Sequence, residues 1–220
     1  SNVSENIHTN VIQAAGSVGF SIAGAIASNH VDAVTTARVG EGVSVASQGN
    51  VSIESVDDTV VNSTAGEIAV GVYTAGAGAS VSTVQVHKNV QAFIDKEADV
   101  YAAAAQPGSI HAYSGEHDAN GNFLLEEIHG VEVQATSNES VNNIAFGVDA
   151  GLYAGVAAAV TATVIQPNVE AWIGRAATVD ADSAGTPSAG GEKSPTNVNV
   201  SAVYHSMVND SATGIGIGAV

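Results

Sequence analysis

The phrase NVQAFID at Asn89–Asp95 comes back as NVEAWIG at Asn168–Gly174, and its flanks come back with it. NVSIES at Asn50–Ser55 returns as GVEVQA at Gly130–Ala135 and as NVNVSA at Asn197–Ala202. The block Gly66–Val86 returns as Asn143–Ile165, Ala14–Ala33 reads as a weaker earlier copy, and Gly214–Val220 begins another. Val51 and Ala92 are 41 residues apart, Val131 and Ala171 40. The connecting stretch varies instead: 18 residues from Ala33 to Val51, 39 from Ala92 to Val131 and 27 from Ala171 to Val198. Units of nearly constant length that lengthen at one site imply stacked coils with loops on one face. Residues 1–220 therefore read as one continuous repeat array, with insertions at 103–129 and 182–196 and truncated repeats at both ends.

Within each unit apolar residues alternate, as in Ile68, Val70, Val72 and again in Val131, Val133. A two-residue period is the strand signal. Gly, Asn, Asp and Pro punctuate the segments as turn residues do. The fold class expected is all-β, a repetitive β-solenoid (β-helix) with insertions at one corner. The uninserted repeat of 59 residues is expected to divide into three coils of about 20 residues each. Val, Ala and Gly supply the narrow interior such a coil needs. Two alternatives stay open, a Gly/Ala-rich helical array and a β-sandwich. VAAAV at Val156–Val160 permits a helix, and the alternation around it opposes one. The apolar run Gly151–Ile165 is short for a membrane span and reads as consecutive buried strands.

Composition narrows the function classes. The net charge of −17 rests on only five basic residues, which repels phosphate backbones and anionic headgroups. Nucleic acid and membrane insertion are set aside on that ground. Cysteine is absent, so thiol chemistry is closed to the chain. Cleavage of acidic polysaccharides would need a basic groove, and Arg38, Lys88, Lys96, Arg175 and Lys193 are scattered. No paired acids, Ser-His arrangement or phosphate loop stands out, so the chain is not read as an enzyme.

The order of motifs is a Gly/Ala/Val block, then N-V-x-A-aromatic-I-x, then V-x-A, a turn, and V-x-V-x-A/S. It runs AGASVSTVQVHKNVQAFID, DVYA and NVSIES, and again AGVAAAVTATVIQPNVEAWIG, TVDA and NVNVSA. This order resembles the repeats of giant filamentous bacterial surface adhesins, the haemagglutinin-like and leukotoxin-like repeat proteins, over most of the chain outside the insertions. The resemblance implies a secreted, cell-surface stalk with an attachment role and brings no catalytic residues. Its implied partners are neighbouring repeats of the same chain or like subunits, and a host or cell-surface glycan or protein. The first copy, NHVDAVTT at Asn29–Thr36, lacks the aromatic. Two other functions remain open: a subunit of a self-assembling extracellular filament or sheath, and a glycan-binding module.

The strand period places Val90, Ala92 and Ile94 inward and Phe93 outward, and likewise Trp172 outward on the second copy. The two rings are expected about three coils apart, as candidate contacts for a glycan or a partner, or covered by an insertion. EHDANGNFLLEE at Glu116–Glu127 carries oxygen ligands at loop positions 1, 3, 5 and 12: Glu116, Asp118, Asn120 and Glu127, with Gly121 at position 6. That is the ligand spacing of a calcium loop. The same residues also read as a β-hairpin turning at Ala119–Asn120–Gly121. No cofactor is required by this reading, and Ca2+ is the one candidate ion. His111, His117 and His129 share the insertion, and seven His in all include no pair at i, i+4. Asn-x-Ser/Thr triplets at Asn2, Asn50, Asn62, Asn138, Asn199 and Asn209 arise mostly from the repeat.

Overall fold

The computed structural model describes residues 1–104, 108–182 and 196–218. Most of the second insertion lies outside the described residues. The chain runs β1 (Asn2–Ser17), β2 (Ser21–Val39), β3 (Ser44–Ser47), then β4 (Val51–Gly71), β5 (Ala75–Ile94), β6 (Asp99–Ala102). It continues through β7 (Ile110–His117), β8 (Phe123–Gly151), β9 (Ala154–Ile173), β10 (Thr178–Ala181) and β11 (Thr196–Gly218). Among the described residues there is no helix, and burial alternates along the strands. Val131 and Val133 are on the buried face, whereas Ile68, Val70 and Val72 are on the outer face, 38%, 40% and 54% exposed, and the inward positions beside them are Ala65, Glu67 and Ala69.

Leaving aside β7, every third strand returns the chain to the same sheet. The first sheet is ordered β1-β4-β8-β11, the second β2-β5-β9, the third β3-β6-β10, and all of these pairs are parallel. Register is unbroken: all 21 residues of β4 pair with β8, from Val51↔Val131 to Gly71↔Gly151. The architecture is therefore all-β and built of parallel sheets, as a β-helix-like arrangement would be. The start of β8 pairs antiparallel with β7, making a hairpin on the outer side of the first sheet. Both insertion sites fall at the junction between third and first sheets, after β6 and after β10.

Three expectations need correction. Ser21 pairs with Gly76, 55 positions on, so one repeat makes one wide circuit rather than three coils of about 20 residues. The reason is strand length: two strands of about 20 residues and one of four consume the repeat in a single pass. Second, the counterpart of Asn89–Ile94 in the first circuit is Val34–Val39, with Arg38 in the aromatic position, and not Asn29–Thr36. Third, Gly151–Ile165 is a two-residue turn at Leu152–Tyr153 followed by one strand that continues to Ile173.

Inward side chains shrink along the strands. Where the third sheet closes the interior, Ile53, Val90, Ile94, Val100, Val131 and Val133 form the largest cluster. Val31, Val61, Val84, Val86 and Val141 follow, then Ala25, Ala27 and Ala65. At the far end the first and second sheets join through turns of two or three residues, and facing positions become Gly76, Gly78 and Gly147. Each buried Val or Ile contributes about 1.5–3 kcal/mol.

Polar layers separate these clusters. Lys88 points inward from β5 with its side chain fully buried, and its Nζ donates to Asp57 Oδ1 and Glu5 Oε2, both at 2.7 Å. Thr35 Oγ1 donates to Asp57 Oδ2 at 2.7 Å. Glu139, one layer along beside Thr59, is buried too; burial pushes its carboxyl up, against a hydrogen bond from Ser137. A second layer links Asn29 to Ser63 (2.7 Å) and Ser63 to Ser82 (2.8 Å), spanning the two long sheets. Buried polar groups are tolerated when so partnered.

Candidate functional site

The two aromatic residues singled out by the repeat meet. Phe93 and Trp172 occupy one register position on β5 and β9, and their rings stack with centroids 4.2 Å apart at 8°. They lie on adjacent circuits, not three coils apart, because each circuit consumes a whole repeat. Val90, Ala92 and Ile94 are completely buried, and Phe93 on the other face is only 8% exposed. Its cover is the Trp172 ring rather than the insertion, since β7 packs on β8 and β11. Arg38 continues the column on β2. Trp172 is half-buried and borders an open groove with Val169, Glu170, Ala171 and Ala202. One ring face is thus used in stacking within the protein.

The insertion is a hairpin with a five-residue turn. Asp118 N donates to Asn122 O at 2.9 Å, and Gly121 takes φ +83°. Asp118 Oδ1 accepts from the backbone N of Asn120 and of Asn122, each at 2.8 Å, and Oδ2 accepts from Asn122 Nδ2 at 2.7 Å. These bonds, from the Asn122 side chain first, hold its carboxyl below the ordinary value. Glu127 sits back along the strand opposite His111, with 3.6 Å between Oε1 and Nε2. Glu116 lies on β7 and Asn120 in the turn. The structure does not gather Glu116, Asp118 and Glu127 around one point: no three-donor group among the described residues contains them. Of the insertion's histidines, His117 packs beside Tyr113 and Phe123.

Among the described residues, the one group of three His or acidic donors that does converge was not visible as a sequence motif. His30 and Asp32 point outward from β2, and His87, the register partner of Asp32, points outward from β5. Their donor atoms all lie within 4.8 Å of one another. His30 Nε2 is 2.7 Å from Asp32 Oδ2, and His87 Nδ1 is 3.2 Å from Asp32 Oδ1. Desolvation raises the Asp32 carboxyl, but hydrogen bonds and charge from both imidazoles outweigh it and hold the group below its ordinary value. The signal available in sequence was only an H-x-D on one face of a strand, with its third member 55 positions away.

A buried acid pair marks the narrow end. Glu67 and Asp149 are both fully buried, and desolvation, followed by the nearby Asp149 carboxyl, raises Glu67 to about 7. Glycines make room for it: a Cβ on Gly78 would come within 2.0 Å of the Glu67 carboxylate, and one on Gly147 within 2.4 Å, so either substitution would make the Glu67 side chain move. Exposed apolar side chains project from the turns beside this end, Val18 and Phe20, Val72 and Tyr73, Leu152 and Tyr153.

Comparison of the chain with protein-family models, with curated proteins and with solved structures returns no match.

Proposed function

We propose that this chain is a structural segment of a large secreted bacterial surface protein of the filamentous-adhesin kind. In this reading it is a β-solenoid stalk that spans distance and presents its hairpin and loops for attachment. The observation that carries it is the unbroken parallel register of the two long sheets combined with their open outer edges. Among the described residues nothing pairs with the outer edge of β9 or β11, and inward-facing Val200 and Val208 of β11 are 42% and 49% exposed. Edges of this length are costly unless another layer covers them. The covering partner is a neighbouring repeat of the same chain or a like subunit. The acidic surface suits a solvated stalk, and this reading assigns the chain neither catalysis nor a required cofactor.

The same open edges favour one other reading, a subunit of a self-assembling extracellular filament. Sedimentation and electron microscopy of the purified chain test both. The stalk reading expects short end-to-end assemblies with a repeat of about 4.8 Å along the stacking axis. Filaments that lengthen without limit as concentration rises would favour the subunit reading. A monomer that never associates end to end, with its edges stable in water, would overturn both.

A further inference from the structure

We propose that His30, Asp32 and His87 form a binding site for a divalent transition-metal ion of the zinc class, which clips the edge strand β2 to β5.

Two imidazole nitrogens and one carboxylate oxygen converge from two adjacent strands, with all donor atoms within 4.8 Å of one another. A common ion at about 2.0–2.2 Å from each donor would place the donors roughly 3–3.5 Å apart. Of the separations from Asp32, that to His87 (3.2 Å) falls within this range and that to His30 (2.7 Å) lies just below it. The imidazoles are half-exposed, at 52% and 40%, which leaves both rings room to turn on their side-chain bonds toward a shared ion. The backbones beneath them are fixed, since Asp32 and His87 are direct register partners inside a continuous parallel ladder. Donors held on strands are more precisely placed than donors on loops.

The donor set selects the metal. Imidazole nitrogen with one carboxylate suits Zn2+, Cu2+, Ni2+ and Co2+, whereas Ca2+ and Mg2+ prefer all-oxygen sites. Exposure leaves further coordination positions to water, the pattern of a three-ligand site with an open face. No lysine or arginine competes for Asp32 among the described residues: Lys88 next to His87 points to the opposite face and is bound to Asp57 and Glu5. The chain's net charge of −17 raises the local concentration of any cation. The ion would act on structure. Among the described residues β2 is the outermost strand of its sheet, and ligands from β2 and β5 tie it to its neighbour.

Cobalt(II) titration of the metal-free full chain, read by visible absorption, tests this, with zinc competition followed by calorimetry. The expected result is one equivalent of cobalt with a four- or five-coordinate spectrum, displaced by zinc and not by millimolar calcium. His87→Ala and His30→Ala should each abolish the spectrum and weaken zinc binding by roughly tenfold or more. Circular dichroism checks that each variant is folded; should either lose its β spectrum, His30→Gln and Asp32→Asn take its place. Zinc should also raise the thermal midpoint of the wild-type chain and leave that of the variants unmoved. Absence of binding at micromolar metal overturns the proposal. So does binding that survives in folded variants, which would place the ion on another of the seven histidines.

Discussion

The side chain of Lys88 is enclosed by Asp57 and Glu5 with no exposed surface of its own. In sequence it is one of five basic residues, placed between two histidine- and asparagine-bearing positions that face solvent. Its period-2 position identifies it as inward, but a lone inward lysine acquires meaning only when the opposite sheet supplies a carboxylate. Lys88→Met leaves Asp57 buried without a counter-charge and is expected to destabilise the chain by about 3–5 kcal/mol in urea unfolding. Adding Asp57→Asn should restore part of that loss, because the uncompensated charge is gone. Glu67 gives the second prediction at this scale. Its folded value of about 7 lies above the ordinary 4.5, so between those pH values the folded chain holds a proton that the unfolded chain releases. Its contribution is therefore most favourable below about pH 4.5 and is lost as pH rises through 7. Glu132 and Glu139, also raised first by burial, add to the same slope. Thermal midpoints measured across this window should fall with rising pH, and Glu67→Gln should flatten the decline.

Paired strands decide what the repeated phrase means. Phe93 and Trp172 stack because β5 and β9 are neighbours in exact register, so the aromatic position behaves as a ladder across circuits. A double-mutant cycle with Phe93→Ala and Trp172→Ala should give a coupling of about 0.5–1.5 kcal/mol in stability, and a coupling near zero would mean that the rings do not stack in solution. The phrase itself was legible in sequence, as was the inward set Val90, Ala92 and Ile94, since side-chain alternation depends on local backbone geometry alone. The partner of each ring was not, because nothing local says how many residues separate one layer from the next. The hairpin makes the same point. Its strands and turn region follow from the Asn-Gly signal, but the turn takes five residues, with Asp118 bonded to the backbone of Asn120 and Asn122. Asp118→Ala should speed proteolytic cleavage in this turn while changing global stability by about 1 kcal/mol or less. Thermal unfolding in EDTA and in calcium should give the same midpoint, because Glu116, Asp118 and Glu127 are not gathered around one point; a rise with calcium would support the Glu116–Glu127 loop as a metal site.

At the scale of the whole molecule, three parallel sheets enclose an interior that runs from Ile and Val through Ala to Gly. The taper follows from closing two long sheets directly on each other at one end and through a short third sheet at the other. The sequence by itself determined the strand character, the two-residue alternation of faces, the repeat and the sites of insertion; near the narrow end it did not tell which face is inward, because apolar Ile68 and Val70 point out and Glu67 points in. Each of these depends on side-chain alternation, turn residues or self-similarity, all of which are local or countable along the chain. Only the tertiary structure decided the circuit length, the Arg38–Phe93–Trp172 column, the Lys88 layer, the Glu67–Asp149 pair and the convergence of His30, Asp32 and His87. These join residues from different strands, and which residues meet depends on how many positions the chain spends in one circuit. A repeat of 55 positions closes equally well on paper in one pass or in three, and the choice is made by whether facing side chains fill the space between sheets.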